Sequence, residues 1–364
     1  MGIEGSFLHR ARKIAQAAAI VLPALTAASA HSQQIESPGI SQDQKGLGES
    51  ELVARAFTFS IESNRRALLR DMHSPKISGD ELKEIVFAST LSIPWDSLRN
   101  TRLDTHQLEM HTVMLSALAE GPIRVSRMNK ASDLGAMADA AEEMASYGQG
   151  IPIGSELVLS NVHVLNAVAK KSSPDVWIYN DRSGRDIGVV RIPHKYFAPE
   201  SVVALPTMKD SEIDGRFIVM TGIDIDWTAT DTGASVNGRK TYGGIAFRLT
   251  RPLIEALFGG MPPEKEVQQY LQSFVVEVPV DQVLDSAHAA DNVAGAAFHG
   301  MSASPVFVFK DGKYQFCAIN YAILQVKGDD GHVHAFAIFY GPNALQSFFA
   351  EAVAPDDAQA KKAP

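Results

Sequence analysis

The sequence predicts a mainly β protein, a sandwich or barrel of short strands, preceded by a helical block. Three observations carry that expectation. Short apolar runs follow one another from Leu157 to Phe339. Polar turn signals separate several of them, among them Asp181-Arg182-Ser183-Gly184, Asp311-Gly312 and Asp329-Asp330-Gly331. Before Gly121, by contrast, apolar residues recur at helical spacing. Many short strands joined by polar turns pack as a sandwich or barrel.

In chain order, residues 1–30 read as a secretory signal. His9, Arg10, Arg12 and Lys13 form a basic start, Ile14 to Leu25 an apolar stretch, and Ala28-Ser29-Ala30 a small-residue cleavage site. The apolar run is shorter than the ~20 residues a membrane span needs, and Pro23 interrupts it. The expectation is an exported bacterial protein, periplasmic or secreted, with no membrane span once the signal is cleaved. Residues 31–50, rich in Ser, Gln and Gly, read as a linker. Residues 51–121 read as a helical extension, a possible propeptide. Its helices are carried by Leu52, Ala56, Phe59, Leu68 and Leu69, by Leu82, Ile85 and Val86, and by Leu108 to Leu118. Ser78 and Asp80 are suited to cap the second.

From Pro122 the pattern becomes strand-like. Strands are expected at Ile123–Val125, Leu157–Ser160, Val176–Tyr179, Ile187–Ile192, Val202–Leu205 and Phe217–Thr221. They continue at Gly244–Leu249, Phe274–Val280, Pro305–Phe309, Gln315–Asn320 and Ala335–Phe339. Ala136 to Ser146 reads as a short helix or loop insertion. Helices are expected near Leu253–Phe258 and Glu264–Leu271, and a closing helix at Asn343–Ala350. The β region therefore spans 122–349, and 350–364 is a polar tail. The net charge of −9 and the lack of a long Lys/Arg cluster argue against a nucleic-acid partner. The single cysteine, Cys317, excludes an intrachain disulfide.

Two segments carry chemistry. Ser302 lies in Gly300-Met301-Ser302-Ala303-Ser304-Pro305-Val306. A nucleophilic serine needs backbone N–H groups aimed at a developing oxyanion, and a glycine two positions earlier lets the backbone turn. His163 lies in Leu159-Ser160-Asn161-Val162-His163-Val164-Leu165. That places an imidazole just past a buried strand at the start of a helical turn, the rigid mounting a general base requires.

Together these segments resemble the trypsin-like peptidases, closest to the HtrA-type and glutamyl-endopeptidase-type bacterial branches. The family carries a "Leu-Thr-Asn-x-His-Val-Val"-like stretch and a Gly-x-Ser-Gly-Ser/Gly-Pro motif, in that order. The resemblance implies a chymotrypsin-like double six-stranded β-barrel and a serine endopeptidase acting on polypeptides without a cofactor. It implies His163, an acid and Ser302 as the triad, and the N–H groups of Gly300 and Ser302 as the oxyanion hole. Asp186-Ile187-Gly188-Val189-Val190-Arg191-Ile192 is similar to the strand that bears the family's acid, which points to Asp186. Only 23 positions separate His163 from Asp186. A hairpin across Asp181 to Gly184 would instead move the acid toward Glu200. Ala303 departs from the family's glycine, and that departure and the two options for the acid leave open a second reading, a catalytically weak or inactive peptidase-fold binding or interaction module. The position six before the nucleophile is Ala296, and Asn320 matches a second pocket position. Both are uncharged, which implies a substrate pocket for small or medium apolar residues.

The remaining constellations are weaker. His332 and His334 share one strand face but lack a third ligand, so no metal is expected. Asp224 and Asp226 lack the glycine-centred loop of a calcium site. Cys317, in an apolar run, reads as a buried inert thiol.

Overall fold

Strands with apolar side chains on both faces need cover on both faces, and the described residues supply it with two sheets and five α-helices. The computed structural model describes residues 69–70, 72, 77–89, 108, 111–118, 124–126, 144–169, 177–192, 197–230, 233–278, 301–310, 313–327 and 333–353. The expected signal, the linker, Ala296, Gly300, His332 and the residues after 353 lie outside the described residues.

Helix α1 (Gly79–Ser89) comes first. Its start is a capping box: the Ser78 N–H donates to Glu81 Oε2 at 2.8 Å and the Glu81 N–H donates to Ser78 Oγ at 3.2 Å. The first sheet then contains β1 (Val113–Leu118), β2 (Arg124–Ser126), β3 (Met144–Pro152) and β4 (Leu157–Ser160). Helix α2 (Val162–Ala169) follows, and β5 (Ile178–Asn180) and β6 (Gly188–Arg191) complete the sheet. Its order is β2-β1-β3-β4-β6-β5.

The second sheet is formed by β7 (Phe217–Thr230), β8 (Gly233–Ile245) and β9 (Phe247–Arg248), then by β10 (Ser273–Val278) after helices α3 (Arg251–Phe258) and α4 (Glu264–Tyr270). It is completed by β11 (Pro305–Lys310), β12 (Lys313–Lys327) and β13 (Val333–Tyr340), before α5 (Pro342–Val353). Its order is β8-β7-β11-β12-β13-β10-β9, with every pairing antiparallel. Strand β10 also lies against β8, so this sheet curls into a nearly closed barrel. The described residues thus form the mainly β barrel architecture expected from the sequence.

Side-chain alternation sorts the strands onto two faces. Val306 and Val308 on β11, Ala335, Ala337 and Phe339 on β13, and Phe274 and Val276 on β10 fill the barrel. Their neighbours Phe307, Phe336, Ile338, Tyr340 and Val275 point the other way, into a core shared with the first sheet through Ile151, Leu159, Ile187 and Val189. Val158 and Val190 face a third cluster, under α2. Small and large residues share the narrow interior: Phe274 pairs with Phe339 across β10 and β13, and Val276 with Ala337.

Five expectations are corrected. Leu108 to Leu118 is not one helix: Val113–Leu118 is strand β1, paired with β3. Val113 and Leu115 are both fully buried, and burial against a partner strand decides a run too short for its period to do so. The boundary at residue 121 therefore does not hold. β1 belongs to the first sheet, and Leu82 and Val86 of α1 share a core with Leu253, Ile254 and Leu257 of α3. Met144 to Ser146 begin strand β3 instead of ending an insertion. Val202–Leu205 is not a strand. Val203 donates one bond to the Pro152 carbonyl, Ala204 and Leu205 are exposed, and Pro206 has no N–H to extend a ladder. The β7–β8 hairpin is also far longer than expected, because backbone pairing carries it through polar residues such as Asp224 and Asp226.

Candidate active site

His163 is mounted by a strand and a helix packed flat together. β4 ends at Ser160, whose hydroxyl donates to the Gln149 carbonyl at 2.6 Å. Asn161 turns the chain into α2 and its carbonyl accepts the Leu165 N–H. Val164, Leu165 and Val168 bury the helix underside. β3 approaches so closely that a Cβ at Gly148 would lie 2.3 Å from Val164 Cγ1. His163, in the first turn, stays half in solvent, with 52% of its side chain exposed.

Asp186 lies on the turn between β5 and β6. These strands do form a hairpin, with Asn180 opposite Gly188, yet Asp186 still reaches His163. The reason is the turn's interior. Arg185 and Asp181, 3% and 0% exposed, form an ion pair at 2.6 Å. Asp181 also accepts the Arg185 backbone N–H and the Ser183 hydroxyl. Burial pushes the Asp181 carboxyl up, but the hydrogen bonds from Arg185 and Ser183 and the Arg185 charge outweigh it and hold it below its ordinary value. Removing one partner of such a pair costs about 3–5 kcal/mol. Gln272 accepts from Arg185, and Gln269 donates to the Gly184 carbonyl, so α4 and the residues after it clasp the same turn.

The carboxylate of Asp186 meets His163 twice. Oδ1 accepts the His163 backbone N–H at 3.0 Å, and Oδ2 lies 2.5 Å from Nδ1. The backbone of Asp186 is held at both ends: its carbonyl accepts the Asn161 amide at 2.8 Å, and its N–H donates to the Tyr340 hydroxyl at 3.1 Å. His163 Nε2 lies 3.0 Å from Ser302 Oγ. A carboxylate on Nδ1 favours the tautomer with its proton there, leaving Nε2 to accept from Ser302. Glu200 sits exposed in a short 3-10 helix, Pro199–Ser201.

Ser302 stands on a turn fixed from below. The Ser304 N–H donates to the Met301 carbonyl, and the Ala303 N–H to the Asn320 carbonyl at 2.8 Å. The Asn320 N–H donates to the Ser304 carbonyl, and its side-chain amide donates to the Met301 carbonyl at 3.0 Å. From the first sheet, Gln149 Oε1 accepts the Ser304 hydroxyl at 3.3 Å. A Cβ at Gly222 would lie 2.3 Å from Ser304 Oγ. Asn320, expected in a substrate pocket, is 1% exposed and stands under the Ser302 turn, not open to a ligand. Gly300 and Ala296, the other expected members of the site, lie outside the described residues.

Ala303 has φ 66°, the one described non-glycine residue in the left-handed region. A Cβ there costs about 1–2 kcal/mol, which is why a glycine suits the position. Ala303→Gly is expected to change stability by less than about 1 kcal/mol, because relief of strain offsets the added freedom of the unfolded chain. Ala303→Val is expected to cost at least about 2 kcal/mol. Urea unfolding midpoints of both variants check this.

Sequence reasoning missed Gln149, Tyr340 and the Asp181–Arg185 pair, and gave Asn161 no role. Their partners lie on other elements, and no local spacing marks them. Elsewhere, His334 Nδ1 lies 2.7 Å from Glu277 Oε1. Cys317 is fully buried, and burial pushes its thiol up, away from the thiolate.

No protein-family model matches the chain, and no curated protein does. Among solved structures it is similar to the crystal structure of a scabies mite inactivated protease paralogue, S-I1. The identity is 12% and the TM-score 0.38, over 69% of this chain and 98% of that one.

Proposed function

We propose that the protein is an exported serine endopeptidase of the trypsin-like type. The observation that carries the reading is the relay Asp186–His163–Ser302, with links of 2.5 and 3.0 Å between three separate segments. In this reading Ser302 Oγ attacks the scissile carbonyl carbon as its proton passes to His163 Nε2. The carbonyl oxygen becomes an oxyanion, held by the N–H groups of Gly300 and Ser302. Collapse breaks the C–N bond, and His163 delivers the proton to the leaving amine. Water then attacks the acyl-enzyme, giving its proton to His163, and Ser302 is regenerated with that proton as the acid product leaves. Asp186 orients the imidazole and stabilises the imidazolium without itself taking the proton. No cofactor takes part in this reading, and the uncharged Ala296 supports a preference for small or medium apolar residues before the cleaved bond. The basic and apolar stretches before Ala30 support export.

Ala303 favours the second reading, a peptidase fold used for binding: the left-handed alanine replaces the residue type the active family uses. An active-site-directed fluorophosphonate separates the two. Labelling of the folded mature protein, lost in Ser302→Ala, is expected. No labelling of a correctly folded protein would establish the binding module instead.

A further inference from the structure

The candidate site is divided between two sheets, and something must keep its halves in register. His163 and Asp186 belong to the first sheet and its connections. Ser302 belongs to the second, on the turn before β11. A shift of 1 Å between the sheets would open the 3.0 Å step from His163 Nε2 to Ser302 Oγ, and misplacement on that scale costs catalysis heavily.

We propose that Tyr340 is a positioning residue that locks Asp186, and through it His163, in register with Ser302. The inference rests on the peptidase reading above. Tyr340 closes β13 of the second sheet, and its hydroxyl accepts the Asp186 N–H at 3.1 Å, across to the first. The clasp at Gly184 and Arg185 holds the turn as a whole. The Tyr340 bond acts on the Asp186 peptide itself and sets the plane from which the carboxylate projects.

The other end of Tyr340 is equally tied. The residue is fully enclosed, and its ring stacks on Tyr321 at 4.1 Å and 15°. It pairs with Ile319 on β12 and Ser273 on β10, and Tyr321 and Ser273 share a hydrogen bond at 3.1 Å. Asn320, between Ile319 and Tyr321, holds the Met301 carbonyl, the Ala303 N–H and the Ser304 carbonyl around Ser302. Three residues therefore connect the acid to the nucleophile turn without passing through the imidazole. Burial pushes the Tyr340 phenol up, so it stays neutral, an acceptor with no charge to perturb the carboxylate.

The test is Tyr340→Phe in the full chain, with Tyr314→Phe, a half-buried tyrosine at the start of β12, as a control. Phenylalanine keeps the ring, the stack and the core and removes only the hydroxyl, and with it the acceptor of the Asp186 N–H. Two readouts are taken: the downfield proton resonance of His163 Nδ1–H, and the rate of fluorophosphonate labelling with kcat and KM on a peptide substrate. In Tyr340→Phe the resonance is expected to shift upfield and broaden, and labelling and kcat to fall about tenfold with KM unchanged and the thermal midpoint lowered by no more than a few degrees. Tyr314→Phe is expected to change none of these. An unshifted resonance in Tyr340→Phe overturns the proposal, whether or not the rate falls. If the parent neither labels nor cleaves, the peptidase reading has failed, and the resonance alone still decides whether Tyr340 positions the pair.

Discussion

Asp186→Asn is expected to slow acylation of Ser302 by ~10⁴-fold. The carboxylate is held by His163 at two points, the backbone N–H at 3.0 Å and Nδ1 at 2.5 Å. An amide oxygen can still accept the backbone N–H. The amide N–H₂ then faces Nδ1 as a donor and forces the ring into the opposite tautomer, with its proton on Nε2. That nitrogen can no longer accept from Ser302 Oγ, so the base is lost while the backbone stays in place. The observed rate constant for fluorophosphonate labelling measures the effect, and a near-native circular dichroism spectrum shows that the fold is kept. Glu200→Gln, on an exposed 3-10 turn, is expected to label within twofold of the parent. A severe loss in Glu200→Gln with a mild one in Asp186→Asn would reverse the assignment of the acid.

A chain starting at Pro122 is expected not to fold. Such a cut looks harmless in the sequence, where the helical pattern ends near Gly121. It removes β1, which lies between β2 and β3, and strips β3 of its ladder along Val113–Leu118. It also removes Leu82, Val86, Leu108, Val113 and Leu115, each almost completely buried. Burial of one large aliphatic side chain contributes about 1.5–3 kcal/mol, so five approach the 5–15 kcal/mol net stability of a whole domain. The truncated chain is expected to give collapsed amide dispersion in a nitrogen–proton correlation spectrum. Native-like dispersion from it would show that the first sheet closes without β1.

The histidine and serine segments were legible because each is a local pattern. An apolar strand followed by Ser160-Asn161-Val162-His163 specifies a strand-to-helix turn, and the spacing places the imidazole in the first turn. Gly300-Met301-Ser302-Ala303-Ser304-Pro305 likewise marks a turn before a strand. Asp186 was legible only as one of two options, since nothing local says where a hairpin turn points. Its direction comes from Arg185 folding back onto Asp181 and from Gln269 and Gln272 holding the turn, residues more than 80 positions away. Asn320 was placed in a pocket by counting along a strand. The register shift between Asn320 and Ala322 and the carbonyl of Met301 put it under the Ser302 turn instead.

What the sequence by itself determined is the class of fold and the two chemical segments, because alternation and turn residues act over a few neighbours and survive without knowledge of the rest. The tertiary structure alone decided that Val113–Leu118 is a strand, since a six-residue apolar run fits either period until a partner such as β3 buries one face. It alone decided that α1 and β1 complete the core. It also decided that Asp186, Tyr340, Gln149 and Asn320 converge on His163 and Ser302. Those contacts join residues 19 to 155 positions apart, and hydrogen bonds at that range depend on how the two sheets pack, which no window of sequence contains.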